Sequence, residues 1–419
     1  MSEERKTIYL CLAHMSEAGL EQKYVKEAFD TNWVVPLGPN VNAFEKDLEN
    51  FVGEGKKVVA LSAGTAAVHL ALLACGVGPG DEVCVQSFTF CASSHPITYL
   101  GATPVFIDSE KDSWNMDPDL LEEAIKDRIA KTGKKPKAIV PVALYGMPYD
   151  CDRIMDIANR YDIPVIEDAA EGFGSRWKGR VLGIFGKFGV LSFNGNKMIT
   201  TSGGGALICA DDESRNNIMW YATQARDAYP YYQHSAIGYN YRLSNICAGI
   251  GRGQMTVVND HIAHHKHVQK LYEELLADIP GIRIHKAPSP DYDANFWLCA
   301  MTIDPSVRIK GQENAYKTVI KTAVGGAAGV IHAVDNPVTD CQPNENVEAL
   351  RIYMLDHKIE SRPVWKPMHK QPVYKNAPAY VNGISESIFK VGMCLPAGPY
   401  VSDEDVRYIV DTIKSAIVK

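Results

Sequence analysis

Paired cysteines are the first thing this chain lacks. Its ten cysteines are scattered, and no two stand in a Cys-x-x-Cys spacing. That excludes a disulfide framework and the usual zinc-ribbon and redox patterns. The cysteines read as reduced thiols, mostly buried small hydrophobes. A basic tract is also missing. The 43 Lys and Arg residues are spread along the chain and the net charge is −7, so nucleic acid is not an expected partner. No stretch approaches the ~18 uninterrupted apolar residues of a membrane span, so no membrane is expected either. The start, Met1-Ser2-Glu3-Glu4-Arg5, has neither the basic end nor the apolar run of a secretory signal. A cytoplasmic location is the expectation. Internal repeats and low-complexity tracts are absent. So is a His-Glu-x-x-His motif: His261 and His265 have the i, i+4 spacing of zinc ligands but no third ligand, and read as a polar helix face. No metal is expected.

The 419 residues are 46% hydrophobic and 22% charged, enough for a large core and two domains. Between residues 58 and 190 short apolar runs alternate with helix-like segments. The runs are Val58 to Leu61, Glu82 to Val85, Thr103 to Ile107, Ala138 to Val142 and Pro164 to Ile166. Ala66 to Ala74, Pro118 to Ile129 and Cys151 to Tyr161 lie between them. This alternation predicts an α/β fold with a mainly parallel sheet. Beyond Gln254 the pattern changes to a long helix, His261 to Ala277, then an α+β region with strands at Phe296 to Ile303 and Lys358 to Arg362 and a last helix from Asp403 to Ile417. A boundary near Asn259 gives a large domain, 1–258, with an N-terminal arm, and a smaller one, 259–419. Residues 305 to 345 read as an insertion. Within it Gly325 to Gly329 reads as a flexible loop, since no clear strand precedes it.

Parallel sheets place ligands at the carboxyl ends of their strands. Three segments stand there. Ser62-Ala63-Gly64-Thr65-Ala66 joins a strand to a helix. Backbone N–H groups at such a turn suit a phosphate; a plain tight turn with Thr65 as helix cap is the alternative. Pro164 to Glu171 ends a strand in Glu167, Asp168 and Glu171. A buried Asp there can hold a ring nitrogen protonated; a helix cap or a metal ligand is the alternative. In Phe188 to Leu207 a single lysine, Lys197, lies between two apolar strands and is followed by Gly203-Gly204-Gly205. A lysine enclosed there is suited to condense with an aldehyde. The order phosphate turn, ring-nitrogen partner, Schiff-base lysine is far more specific than any one member, and it points to a pyridoxal 5'-phosphate (PLP) enzyme.

The chain resembles the fold-type I PLP enzymes, and among them the sugar-nucleotide aminotransferases of the DegT/StrS family. The resemblance runs from Leu37-Gly38-Pro39 through Ser62 to Leu72, Ser87-Phe88-Thr89-Phe90, Glu167 to Ser175, Ser192 to Gly205 and Gly238 to Ser244, to Arg362 to His369. It implies that Gly64, Thr65 and Ser192 hold the cofactor phosphate, that Phe90 stacks on the ring, and that Asp168 pairs with the ring nitrogen. It places Glu171 near the ring hydroxyl and Lys197 as the Schiff-base residue. Asn240 would reach the cofactor phosphate of a neighbouring subunit, which implies a homodimer with shared sites. A related branch carries His in place of the lysine and dehydrates; Lys197 argues against it. The implied reaction is a ping-pong transamination from L-glutamate to a nucleotide-linked keto sugar, for bacterial surface glycans. Gln224 to Asp227, Tyr232 to His234, Gly238 to Ser244 and Arg362 to His369 resemble the enzymes that make 4-amino-trideoxy N-acetyl sugars on UDP.

Arg226, Tyr241, Arg242, Arg362, Trp365 and His369 are the substrate candidates, because planar guanidinium forks suit a diphosphate and aromatics suit a base or sugar. The loop Tyr229, Tyr231, Tyr232, His234 is open to substrate contact or to surface packing. The alternatives are a dTDP-linked keto sugar, a PLP enzyme on a non-nucleotide substrate, and a regulator without turnover. The last would show a lost Lys or Asp or a fused DNA-binding domain, and none is present.

Overall fold

The computed structural model describes residues 5–316 and 341–418. Eight strands build its central sheet: β1 Lys57–Leu61, β2 Glu82–Gln86, β3 Thr103–Ile107, β4 Ala138–Val140, β5 Ile166–Asp168, β6 Phe188–Ser192, β7 Gly205–Cys209 and a short edge strand, Ala379–Tyr380, parallel to β3. β3, β2 and β4 run parallel. The bridges Ile139–Val165 and Val142–Asp168 carry the parallel order from β4 to β5, and β5 pairs parallel with β6. Only β7 is reversed, between β6 and β1. The fold is therefore α/β with a mostly parallel sheet. Helices cover it, so its strands are apolar on both faces. Val58, Val59, Val83, Val85, Val105 and Ile107 are all fully buried, each stabilising the core by roughly 1.5–3 kcal/mol.

Local chemistry starts and stops the covering helices. Pro118–Thr132 begins at Asp117, whose carboxylate accepts from the N–H groups of Asp119 and Leu120, and it ends at Gly133 in the left-handed region. Asp150 caps Cys151–Tyr161 in the same way. A second, antiparallel sheet is made of β8 Ile282–Ile284, β9 Cys299–Ile303, β10 Arg362–Pro363 and β11 Gly392–Leu395, in the order β8-β9-β11-β10. It shares a core with the helices Val258–Leu275, Glu345–Asp356 and Asp403–Ala416, around Tyr272, Met301, Leu350 and Ile409. Ile8 of the N-terminal arm packs into this second core and bridges to Ile359.

Three expectations shift. The strand expected at Phe296 starts at Cys299, because Phe296 has a left-handed backbone (φ 51°) that turns the chain. The strand expected from Lys358 is only Arg362–Pro363, because Lys358 is also left-handed (φ 61°). The strand expected at Pro164 to Ile166 runs on to Asp168. Gly325 to Gly329 and residues 317–340 of the insertion lie outside the described residues. Of the remainder, Ile309 bridges to Ile417, and the Tyr316 hydroxyl donates to the Pro343 carbonyl (2.8 Å).

Candidate active site

The carboxyl ends of β1, β5 and β6 open on one cavity of about 370 Å³. Its floor is a phosphate-sized notch. β1 ends at Leu61, Ser62 and Ala63 turn the chain, and the helix Gly64–Ala74 starts at once. Ala63 is the cap residue and no side chain caps this helix. The alternative reading, Thr65 as helix cap, is thus not found, since the helix has already begun at Gly64. The first N–H groups of a helix have no partner within it, so an anion fits here. Gly64 packs on the end of β6, where a Cβ would stand 3.0 Å from that of Ser192. A Cβ on Gly205 would stand 2.4 Å from the Gly64 nitrogen. Only glycines let these segments close up. Gly64, Thr65 and Ser192 all line the cavity.

Asp168 is the last residue of β5 and is fully buried. Its Oδ2 accepts from the Ser93 hydroxyl (2.6 Å) and its Oδ1 from the Ala170 N–H (3.1 Å). Burial pushes its carboxyl above the usual range; the Ser93 and Ala170 hydrogen bonds and the Lys197 charge pull the other way. A buried carboxylate raised by desolvation calls for a cation beside it. Ser93 in turn exchanges a hydrogen bond with Thr89 (2.8 Å).

Lys197 enters from the loop after β6. Its Nζ lies 3.4 Å from Glu171 Oε1 and 3.8 Å from the centroid of the Trp297 ring. Glu171 is also raised by burial and drawn down by Lys197. Its other oxygen accepts from the Tyr145 N–H (2.7 Å). Tyr145 has a left-handed backbone (φ 54°), and its hydroxyl accepts from the Trp365 N–H (2.7 Å). Phe90 and Trp365 close the outer side, with ring centroids 5.4 Å apart. A further cleft of about 490 Å³ shares Thr89, Phe90 and Trp365 with the cavity and carries one cation, Lys366.

The other substrate candidates do not line the cavity. Arg226 is exposed, stacked over Tyr232 at 4.2 Å. Tyr241 packs against Tyr239, and its hydroxyl meets His69 Nδ1 at 3.3 Å. Arg362 is in β10 with its guanidinium on Glu360 (3.0 Å). His369 Nδ1 faces the Ser87 hydroxyl (2.6 Å). Asn240 and Arg242 line a separate open groove with Val34, Val35 and Pro36, which touches the cavity through Ser62 and Gly203. The physical reason is reach: residues 223–242 hold to the far side of the Ser62 turn, where Thr223 bridges to Asn240 and Leu61 to Arg242. Tyr229, Tyr231 and Tyr232 are exposed. His261 and His265 are not a polar face; both are buried, and their Nδ1 atoms donate to the carbonyls of Met198 (3.3 Å) and Phe296 (3.1 Å).

Ser93, Tyr145 and Trp297 escaped the sequence reading. Ser93 and Tyr145 follow strands whose ends were searched, but a lone Ser or Tyr carries no motif. Trp297 is a hundred positions from Lys197 and only the fold joins them.

The residues present fit PLP: an uncapped helix end for its phosphate, an aromatic for its ring face, a buried carboxylate lacking a full cationic partner, and an enclosed lysine. Cavity and fold define a PLP-dependent enzyme of fold-type I. The chain belongs to the DegT/DnrJ/EryC1/StrS aminotransferase family, whose model matches residues 16–329 and 312–414. It is 40% identical to EpsN of Bacillus subtilis (strain 168), named as a pyridoxal phosphate-dependent aminotransferase, over 97% of this chain and 95% of that protein. It is 33% identical to the GDP-perosamine synthase of Escherichia coli O157:H7, over 97% and 98%. The crystal structure of a DegT DnrJ EryC1 StrS aminotransferase from Brucella abortus superposes with a TM-score of 0.81 at 27% identity, over 96% of each chain. The protein is a PLP-dependent aminotransferase.

Proposed function

We propose that this aminotransferase moves an amino group from L-glutamate to a keto sugar carried on a nucleoside diphosphate. The observation that carries the reading is the placement of Lys197, Glu171 and Asp168 around one cavity beside an uncapped helix. Bound PLP supplies an electron sink for the carbanion formed at the donor's Cα. Gly64, Thr65 and Ser192 hold its phosphate and Phe90 covers its ring. Asp168 keeps the proton on the ring nitrogen, and Glu171 stands by the ring hydroxyl. With PLP bound, Lys197 would take the proton from the donor's Cα at Nζ and give it back within the cavity. Trp365 and the cleft beyond it receive the sugar nucleotide.

For the acceptor, the reading is a UDP-linked 4-keto-6-deoxy N-acetyl sugar, for surface glycan assembly, on the likeness of residues 224–244 and 362–369. The GDP-perosamine synthase relative favours a second reading, a GDP-linked keto sugar. A panel of UDP-, GDP- and dTDP-linked keto sugars with glutamate, followed by mass spectrometry, decides. The expected result is amination of the UDP N-acetyl compound at least about tenfold faster in kcat/KM than the others, a difference of about 1.4 kcal/mol. A preference for GDP installs the second reading; no amination of any nucleotide sugar sinks both.

The site is shared across a homodimer in this reading. Support comes from Asn240, exposed in a groove beside the cavity, and from the exposed apolar run Trp33, Val34, Val35 and Leu37 next to it. Mixed Lys197→Ala and Asn240→Ala proteins are expected to regain activity through roughly a quarter of their sites, since each mixed two-fold dimer holds one intact pair. An active monomer in sedimentation overturns this. No helix among the described residues is long and apolar enough to cross a membrane. A cytoplasmic location and a division into domains 1–258 and 259–419 complete the proposal.

A further inference from the structure

Trp297 has no place in the chemistry above, yet its ring centroid lies 3.8 Å from Lys197 Nζ. It lines the cavity while only 1% exposed. Two hydrogen bonds of its own fix it there, and those of Asn295 anchor the second. Its indole N–H donates to the carbonyl of Asn196, the residue before Lys197 (2.6 Å). Its backbone N–H donates to Asn295 Oδ1 (2.8 Å). The Nδ2 of the same Asn295 donates to the carbonyls of Glu171 and Phe173 (both 2.9 Å). The Asn295 N–H donates to Ser175 Oγ (2.9 Å), which donates on to the Gly146 carbonyl (2.6 Å), next to Tyr145. One buried asparagine thus ties the Trp297 backbone to the backbone of Glu171 and, through Ser175, to Gly146 beside Tyr145. Phe296, between them, is held in a left-handed conformation that disfavours a bulky side chain. Its carbonyl is gripped by His265 (3.1 Å). Strain of this kind persists only where the surroundings over-determine it.

We infer that Trp297 is a positioning residue for Lys197. The ring face holds the amine beside Glu171, and the indole N–H holds the loop that presents it. A cation over a tryptophan face is attracted by the ring quadrupole, more strongly when desolvated. The amine therefore has a carboxylate oxygen at 3.4 Å and an indole ring at 3.8 Å, and both limit where it can move. This inference rests on the reading of Lys197 as the residue that carries the cofactor.

The test compares Trp297→Phe and Trp297→Leu with the native protein and with Lys197→Ala. The apo proteins are mixed with PLP, and the lysine-linked absorbance is followed as the Lys197 amine adds to the aldehyde carbon and water leaves. The rate is expected to fall roughly 3- to 30-fold in Trp297→Leu and by less in Trp297→Phe, which keeps a ring face and loses only the N–H. The KM for the sugar nucleotide should stay within about threefold. Native rates in both variants, equal losses in both, or a loss accompanied by a matching rise in KM overturn the inference. If Trp297→Leu does not fold, Trp297→Phe decides alone: slower condensation at unchanged KM supports the inference, and a native rate overturns it. Lys197→Ala should show no condensation. If it does condense, the reading of Lys197 falls, which separates that failure from the failure of Trp297.

Discussion

Replacing Lys197 with alanine is expected to cut kcat by roughly 10⁴-fold or more, because it removes both a proton carrier, worth about 10²- to 10⁴-fold, and the covalent attachment point. Among the described residues, no second amine lines the cavity. Its remaining titratable side chains, Asp168 and Glu171, are both buried carboxylates. Glu171 has its Oε2 committed to the Tyr145 N–H, and Asp168 has both oxygens committed to Ser93 and Ala170. Removing the lysine also leaves Glu171 without its ion-pair partner, 3.4 Å away. The fold should tolerate the change, since the loop is also held by Trp297 on Asn196 and by His261 on Met198. Single-turnover assays read the rate, and thermal unfolding confirms the fold. Borohydride reduction of the native holoenzyme with peptide mapping should mark Lys197. A mark on another lysine, or a variant within tenfold of native kcat, removes Lys197 from its role.

The sequence made one part of this site legible because its members lie at the carboxyl ends of strands. Gly64, Asp168 and Ser192 each stand where an apolar run stops, and Lys197 stands in the loop that follows. A parallel sheet gathers such ends on one edge, so reading the runs was enough to place them together. Asp168 could be found although its strand was drawn two residues short. The lateral supports could not. Ser93 reaches Asp168 across 75 positions, and Trp297 reaches Lys197 across a left-handed Phe296 that no periodicity announces. The histidines of the helix Val258–Leu275 show the same limit. Their i, i+4 spacing correctly puts them on one face, but whether that face meets water or two backbone carbonyls depends on what packs against it. The guanidinium candidates stand away from the cavity of the single chain for a related reason. Charge type suggests a ligand, yet Arg226 and Arg362 have partners within the chain, Tyr232 and Glu360.

Asp168→Asn is the change that isolates charge from shape, and it is expected to lower the transamination rate roughly 10²- to 10⁴-fold. The amide is nearly isosteric, and the hydrogen bonds around it can survive. The Ala170 N–H still finds a carbonyl oxygen at the Oδ1 position. At the other position an amide N–H would face Ser93. Ser93 and Thr89 share a hydrogen bond that either hydroxyl can donate, so the pair can reverse and let Ser93 accept. The loss of negative charge is then the whole effect. Breaking a buried charge pair costs about 3–5 kcal/mol, and each 1.36 kcal/mol is a decade in rate. Burial already raises the Asp168 carboxyl when only Lys197 faces it; a proton on the ring nitrogen supplies the charge that lets the carboxylate stay ionised. Without that carboxylate the ring proton loses the partner that this reading gives it, and the electron sink weakens. The apo variant should by contrast unfold at the same temperature as the native apo protein or higher, because a desolvated carboxylate has been replaced by a neutral group. Stopped-flow rates for both half-reactions and apo unfolding curves check the two signs. Near-native rates would show that another group holds the ring proton. A destabilised apo protein would show that Asp168 serves the fold more than the chemistry.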